Sequence, residues 1–457
     1  MSLNNIVKYL GQNEEKHLNL LFDVIRQKSI SATGEGVDKC ADLIVSIMKG
    51  LGIRARKIDT EGLPVVYGEI MANPDALTIL IYGHYDVQPA EPLEEWLSDP
   101  FEPTIRDGKI FARGSGDNKG QFMAHILAAA ALKKEGWPDI NVKFILDGEE
   151  ESGSESLPKF IEEHREMLKA DVAISSDGPK HPSGRPVVFF GVRGLLYAEI
   201  ELEGAKADLH SGNNGNVAPT PAWDLIRLLN EMYPSDGDCK IPHFYDDVLP
   251  ATEYEKELIK NMPFAKVEYL EQMQLKDTSM TNEDFWHKLM FEPTVNICGI
   301  GSGYQGAGSK TIIPARANVK IDFRLVPNQD PDKIFNCLES FVKERYPKAK
   351  IRRYGDLIPT KTSAELNISR AVVEAVRIGS HMEPVVQPRL GGSAPDYLIT
   401  EHLKLPSIWV PFANADENNH SPNENMGLSD FYDGIKMSAT IIHMLARQSK
   451  DKLLEDI

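Results

Sequence analysis

The chain has 457 residues, 42% hydrophobic and 26% charged, which is enough for one large domain or for two to three domains with full cores. Its formal net charge is −18 and no basic patch stands out, so nucleic acid is not expected as a partner. The four cysteines lie far apart, no signal-peptide pattern is visible, and no apolar run approaches the ~20 residues of a membrane span. We therefore expect a soluble, cytoplasmic protein that does not contact membranes.

Helical and strand patterns alternate along the first part of the chain. The predicted elements are helices over 14–28 and 36–51, strands over 54–58, 65–70 and 77–82, a hairpin over 104–111, a helix over 121–134, a strand over 142–146, a helix over 155–168 and a strand over 171–176. This alternation is typical of an α/β domain. The nearly unbroken apolar run at 77–82 indicates a strand of a parallel sheet covered on both faces.

The pattern changes near residue 190. Alternating residues at 195–203 and 317–325 predict strands with one solvated face, and helices are predicted over 221–232 and 330–346, with a strand over 350–354 and a mixed, polar, helical stretch over 238–292. The α/β pattern returns near residue 363, with a helix to 378, a strand over 407–411 and a last helix over 428–447. We therefore predict one α/β domain in two pieces, 1–191 and 358–457, interrupted by an α+β domain at 192–357.

Three adjacent carboxylates follow the strand over 142–146. Glu149, Glu150 and Glu151 repel one another, which indicates either a solvated acidic turn or a bound divalent cation. Other acids and histidines also follow predicted strands, and ligand sites of open α/β sheets lie at that edge. These candidates are His84, Asp117, Glu150, Glu151 and Asp177, with His420 in a C-terminal loop.

A hydrolytic site with two metal ions needs imidazole and carboxylate ligands, one shared carboxylate, and a base beside the water. His84 and Asp86 are two residues apart, so in an extended segment Asp86 can accept the ring proton of His84 and fix its tautomer. Each candidate also has a purely structural interpretation: Asp117 as a helix N-cap, Asp177 as a turn residue, and His420 and His210 as loop histidines.

The order and spacing of the motifs resemble one known family. The motifs are Gly83 to Pro89, Arg113 to Gly120, Glu150 to Ser154, Asp177, Asp208 to Gly212, and His420 to Glu424. Together they resemble the dinuclear-zinc metallopeptidases, which include carnosinase, cytosolic non-specific dipeptidase, glutamate carboxypeptidase, aminoacylase and succinyl-diaminopimelate desuccinylase. The resemblance covers nearly the whole chain and is strongest to the carnosinase-type dipeptidase branch.

The resemblance implies a role for each matching residue. Asp117 would bridge two metal ions, with His84 and Asp177 completing one and Glu151 and His420 the other. Glu150 would be the general base and Asp86 would orient His84. His210 would act in the active site of a partner subunit within a homodimer. Arg324, Thr311, Gly392 and Ser393 would hold the substrate's C-terminal carboxylate, and the inserted domain would serve as lid and dimerisation domain.

The expected activity is metal-dependent hydrolysis of an amide bond in dipeptides or short peptides. Zinc is the first expectation for the two ions, and manganese or cobalt suit the same ligands. Two alternatives stay open: an N-acyl amino-acid deacylase of the acetyl or succinyl type, which shares every metal ligand, and a metal-bound binding protein without catalysis. Retention of Glu150 and His210 argues against the second alternative, because neither is needed to hold metal.

Overall fold

The computed structural model describes residues 3–235, 237–264, 266–276 and 280–457. Its α-helices are α1 (Leu3–Gln12), α2 (Glu14–Arg26), α3 (Val37–Gly50), α4 (Lys119–Lys134), α5 (Leu157–Glu163), α6 (Arg165–Leu168), α7 (Ser211–Asn214), α8 (Pro221–Met232), α9 (Glu253–Asn261), α10 (Lys266–Gln272), α11 (Asn282–Phe291), α12 (Pro331–Arg345), α13 (Asn367–Ser380), α14 (Leu428–Leu445) and α15 (Lys450–Leu454). Short 3₁₀-helices lie at Leu93–Glu95 and Glu150–Ser152, and a π-helix at Leu398–His402.

The strands of the described residues form four sheets. They are β1 (Arg54–Ile58), β2 (Val65–Ile70), β3 (Thr78–His84), β4 (Thr104–Arg106), β5 (Lys109–Phe111), β6 (Asn141–Asp147), β7 (Val172–Ser175), β8 (Val187–Phe189), β9 (Gly194–Glu203), β10 (Leu209–His210), β11 (Thr294–Ser302), β12 (Ile312–Ile313), β13 (Arg316–Leu325), β14 (Lys350–Leu357), β15 (Val385–Gln387), β16 (Ser407–Trp409) and β17 (Asn425–Gly427). The largest sheet has eight strands in the order β1-β2-β6-β3-β7-β16-β8-β15 and is mainly parallel, as predicted.

Helices cover both faces of the eight-stranded sheet. Every residue of β3 and β6 is buried. Ile79 and Ile81 of β3 belong to the core formed with α4 and α14, whereas Leu80 and Tyr82 pack with α5 on the opposite face. Alternate side chains of a strand point to opposite faces, so an apolar run without polar interruptions needs cover on both sides. The α/β prediction is confirmed.

The second sheet is antiparallel and has the order β11-β13-β9-β14. One face packs on α8 and α12 through residues such as Ile200, Ile321 and Leu338. The other face is open, and Tyr354 on it is 55% exposed. The alternating pattern at 195–203 and 317–325 therefore corresponds to a sheet with one buried face.

The eight-stranded sheet is assembled from both ends of the chain. Strand β8, before the inserted segment, pairs in parallel with β15, which follows it. Part of the inserted segment also packs on this sheet, because Ile259 of α9 and Met290 of α11 share a buried cluster with Val385 and Trp409. The domain boundaries at 191/192 and 357/358 stay a prediction.

Some local features differ from the sequence prediction. The helix predicted over 155–168 is two helices, α5 and α6, that meet at His164, whose backbone leaves the helical region. No element was predicted over 3–12 or 294–302, where the structure has α1 and β11. Within the described residues, no helix has both the length and the hydropathy needed to cross a membrane.

Candidate active site

The parallel strands β6, β3 and β7 are neighbours, so their carboxyl ends meet at one edge of the sheet. Strand β3 ends at His84, β6 is followed by Glu150 and Glu151, and β7 is followed by Asp177. Asp117 lies just before α4. The topology thus brings four chain segments to the crevice where α/β sheets bind ligands.

Asp117 is shared between two clusters of possible metal ligands. The first contains His84, Asp117 and Asp177, and the second contains Asp117, Glu151 and His420. Asp117 Oδ1 lies 3.0 Å from His84 Nε2, and its Oδ2 lies 3.0 Å from His420 Nε2. Within each cluster the potential ligand atoms all lie within 4.8 Å of one another.

The remaining distances complete both clusters. His84 Nε2 is 3.5 Å from Asp177 Oδ2, and His420 Nε2 is 3.1 Å from Glu151 Oε2. Gln88 also donates a hydrogen bond to Glu151 Oε2 at 3.0 Å. The structure therefore brings together the five residues that the sequence analysis named as metal ligands, in the two groups expected, although their role as ligands stays a prediction.

The hydrogen bonding of His84 fits a metal ligand. Its Nδ1 lies 3.2 Å from the backbone oxygen of Asp86 and 3.4 Å from the carboxylate oxygen Oδ1 of the same residue. In the neutral tautomer with the proton on Nδ1, the buried Nε2 keeps a lone pair, and among the described residues no donor bonds to it. An imidazole nitrogen with a free lone pair beside carboxylate oxygens is a set of ligand atoms that can bind a divalent cation.

The acidic surroundings change the protonation of both histidines. Burial opposes the charged form of His84, but Asp117, Asp177 and Asp86 together raise its pKa well above the usual value. Hydrogen bonds to Asp117 and then Glu151 raise the pKa of His420 to about 10. Desolvation works against ionised Asp117, yet His420 and His84 hold its pKa below the usual value. The site attracts positive charge, and a divalent ion would replace these protons.

Glu150 lies beside the clusters but belongs to neither. Its Oε2 is 4.0 Å from His84 Nε2. Burial, and then the nearby carboxylates Asp177, Glu151 and Asp117, raise its pKa well above the usual value, with His84 opposing. Bound cations would oppose this shift, and a carboxylate beside the ligand clusters but outside both of them is in a position to act as a general base.

Glu149, which the sequence analysis left without a role, is structural. Its carboxylate accepts hydrogen bonds from the backbone N–H of Leu63 at 2.9 Å and of Ser156 at 2.5 Å. The bond from Leu63 ties the acidic turn to the chain before β2. The repulsion among the three glutamates is thus reduced, because Glu149 turns away from the clusters to bind backbone donors.

The predicted carboxylate-binding residues form two separate groups. Arg324 Nη1 donates to Ser393 Oγ at 3.0 Å, and Gly392 accepts a backbone hydrogen bond from Arg193 at 2.9 Å. These residues lie where β13 meets the loop after β15. Their binding role stays a prediction.

His210 and Thr311 form the second group: His210 ends β10, and Thr311 directly precedes its partner strand β12. Both are exposed, and the backbone oxygen of Thr311 accepts from the N–H of Ser211 at 3.1 Å. The ring of His210 accepts from the N–H of Gly212. Among the hydrogen bonds and ion pairs of the described residues, none links His210 to the clusters around Asp117.

A sheet edge with two carboxylate-imidazole clusters that share one aspartate, beside a glutamate outside both clusters, suits a metal-dependent hydrolase. The model of Peptidase family M20/M25/M40 matches residues 80–444, and the chain belongs to this family. The predicted resemblance to dinuclear metallopeptidases is confirmed: the protein is a hydrolase of a peptidase family.

Known relatives match over nearly the whole chain. The Cys-Gly metallodipeptidase dug1 of Schizosaccharomyces pombe is 30% identical over 98% of this chain and 99% of its own length. The M20 family metallo-carboxypeptidase Sso-CP2 from Sulfolobus solfataricus is similar in structure, with a TM-score of 0.87 and 37% identity over 94% of this chain and 99% of that one. Human carnosine dipeptidase 1 superimposes with a TM-score of 0.80 and 27% identity, over 98% of this chain and 99% of that one. These relatives do not favour the deacylase alternative.

Proposed function

We propose that the protein hydrolyses the peptide bond of dipeptides or short peptides with two divalent metal ions. The observation that carries the proposal is the position of Asp117 between two imidazoles, with each of its oxygens facing a different one. This arrangement suits a carboxylate shared by two ions. The relatives, described as a metallodipeptidase, a metallo-carboxypeptidase and a carnosine dipeptidase, support peptides as substrates.

The residues that would hold the ions are those of the two clusters. His84, Asp117 and Asp177 would bind one ion, and Asp117, Glu151 and His420 the other. Mixed imidazole and carboxylate ligands suit zinc first, with manganese or cobalt as alternatives. When bound, such ions lower the pKa of water and stabilise negative charge on a polarised carbonyl oxygen.

Glu150 would move the protons of the reaction. It accepts a proton from the attacking water and later donates that proton to the leaving amine. Asp86 would hold the backbone of this base in place, since its carboxylate accepts hydrogen bonds from the backbone N–H groups of Glu150 and Glu151 at 3.1 and 3.0 Å. The base and one metal ligand are thus fixed by a single buried aspartate.

The substrate's free carboxylate would be held by residues that do not belong to the metal clusters. Arg324, Gly392 and Ser393 lie together and offer a guanidinium, a backbone group and a hydroxyl. A planar guanidinium can bind a carboxylate through two parallel hydrogen bonds. Recognition of a terminal carboxylate would restrict the enzyme to short peptides with a free C-terminus.

The proposal includes a homodimer and a cytoplasmic location. His210 lies exposed on β10 without described contacts to the clusters, which suits a residue that completes a partner's site, and Thr311, proposed to hold the substrate carboxylate, lies next to it before β12. His210 would then stabilise the oxyanion that forms on the scissile carbonyl. Four free cysteines, two of them buried, suit a reducing compartment.

A substrate panel tests the proposed activity. The zinc-loaded protein would be assayed with Ala-Ala, its C-terminal amide, N-acetyl-alanine and N-succinyl-alanine, with manganese and cobalt in parallel. We expect turnover of the free dipeptide and a rise of about tenfold or more in KM for the amide, because Arg324 then lacks its anionic partner. Turnover of the acylated amino acids alone would show that the dipeptidase proposal is wrong.

A further inference from the structure

The second ligand cluster joins two loops that are distant in sequence. Asp117 belongs to the loop after β5, and His420 to the loop before β17. Antiparallel pairing of β5 with β17 brings these loops together, and the N–H of Ala112 donates to the backbone oxygen of Glu424 at 3.1 Å. The spacing between Asp117 and His420 therefore depends on what holds the two loops.

Glu424 holds the Asp117 loop through both carboxylate oxygens. Its Oε1 accepts hydrogen bonds from the backbone N–H groups of Gly116 and Asp117, each at 3.1 Å. Its Oε2 accepts from Arg113 Nη1 at 2.7 Å. The side chain of Glu424 is fully buried, so these contacts are protected from water and fix the backbone at Asp117.

Arg113 connects this glutamate to a third loop. Its Nη2 donates to the backbone oxygen of Pro89 at 3.0 Å, and the guanidinium lies 5.5 Å from the centre of the Trp96 ring. The same loop, which follows β3, also binds Asn423: its Nδ2 donates to the backbone oxygen of Glu95, and its Oδ1 accepts from the N–H of Leu97. The loop after β3 and the two ligand loops thus form one hydrogen-bonded unit.

We propose that Arg113 and Glu424 are positioning residues that set the distance between the Asp117 and His420 ligands. The proposal depends on the proposed function, because it assumes that these ligands hold metal. It differs from that function in assigning a role to two residues that touch neither ion nor substrate. A metal site tolerates ligand displacements of only a few tenths of an ångström, so loss of this clamp should weaken binding without removing any ligand.

The test variant is Glu424→Gln, which keeps the side-chain volume but places a neutral amide beside Arg113. Zinc binding to chelator-treated protein would be measured by titration calorimetry, separately from dipeptide turnover. We expect the site of Asp117, Glu151 and His420 to weaken by about 10- to 100-fold, and the site of His84, Asp117 and Asp177 to weaken less, because only the first spans both loops. The kcat should fall and the KM for dipeptide should change little, and excess zinc should restore kcat. A purely structural role would not give metal rescue.

Glu255→Gln is the matched control. Glu255 is also buried and pairs with Arg389 at 3.2 Å and Lys361 at 2.9 Å, but it lies on α9 and belongs to none of the proposed catalytic groups. The Glu255→Gln variant makes the same chemical change at a buried ion pair, so any loss of zinc affinity in it measures general destabilisation of the fold alone. Wild-type zinc affinity in Glu424→Gln, or equal losses in both variants, would overturn the inference.

A second variant covers the case in which Glu424→Gln does not fold. The double variant Arg113→Met/Glu424→Leu removes both buried charges together and leaves no unpaired ion. It should fold and show the same preferential weakening of the zinc site that contains His420. Two sites of wild-type affinity, or loss of the fold in both variants, would assign the pair to core stability and overturn the positioning role. A wild-type protein that binds two zinc ions but cleaves no dipeptide would count only against the proposed function.

Discussion

The carboxylate of Asp86 accepts the backbone N–H of Glu150, with 3.1 Å between Oδ1 and the nitrogen. Asp86 therefore acts on more than its histidine neighbour. Its other oxygen accepts the N–H of Glu151, and its backbone oxygen lies 3.2 Å from His84 Nδ1. One buried residue just after β3 thus contacts an imidazole and the backbone of both a metal-ligand candidate and the candidate base.

We expect Asp86→Asn to lower kcat by about 10- to 100-fold and to weaken zinc binding. Each carboxylate oxygen of Asp86 accepts one backbone N–H, and in asparagine an NH₂ group replaces one of these acceptors, so one backbone donor loses its partner. Steady-state kinetics and zinc titration would measure this. Asp171→Asn is the matched control, since Asp171 Oδ2 accepts the N–H of Thr78 at 2.8 Å at the opposite end of the same strand. Equal effects of the two variants would contradict a specific role for Asp86.

Glu150→Gln should separate catalysis from metal binding. Glu150 belongs to neither ligand cluster, so metal content should remain at the wild-type level. Loss of a general base should lower kcat by about 10²- to 10⁴-fold. Mass-spectrometric metal analysis and kcat would be measured together, with Glu155→Gln on the exposed side of the same turn as control. Undiminished turnover would refute the base assignment, and loss of one ion would make Glu150 a ligand.

Much of the fold could be predicted from local sequence patterns. The apolar run of β3 and the alternation in β9 and β13 each indicated the correct element, because burial on two faces or one leaves a visible pattern. Strand β11 lacks such a pattern. Its register against β13 shifts between Ile297 and Gly299, and this irregularity disrupts the two-residue alternation.

The supporting contacts of the site could not be predicted in the same way. The residues of the two ligand clusters follow strands or lie in recognisable motifs, so position and resemblance were enough to name them. Glu149 bonds to Leu63, 86 residues away, and Glu424 bonds to Asp117, 307 residues away. A single sequence carries no local signal for such pairs, because only the folded topology brings them together.

His17 should make the protein less stable in acid. Burial, and secondarily Lys16, lowers the pKa of His17 to about 4. Below an unfolded-state pKa near 6.5 the unfolded chain gains a proton that the folded chain does not, so stability falls as the pH drops from 6.5 towards 4. At pH 5 this linkage costs about 2 kcal/mol relative to pH 7.5.

We expect His17→Phe to remove about that loss, so that its urea midpoint changes less between pH 7.5 and pH 5 than that of the wild type. A chelator in both samples excludes effects of metal release. His381→Asn is the control, because His381 is exposed and has a φ of 56°, which asparagine tolerates. If the urea midpoint of His17→Phe fell between pH 7.5 and pH 5 as much as that of the wild type, His17 would not stay neutral in the folded protein.

The assignment of His210 to a partner's active site can be tested by subunit mixing. Chains carrying Glu150→Gln and His210→Ala would be given different affinity tags, coexpressed, and purified through both tags. If His210 acts across the interface, one site of the mixed dimer has both defects and the other has neither, so activity should recover to about half that of the wild-type dimer. If His210 acts within its own chain, each site has one defect and the mixed dimer should stay as inactive as its parents. Doubly tagged Glu150→Gln dimers control for residual activity, and failure to recover any mixed species would contradict the homodimer itself.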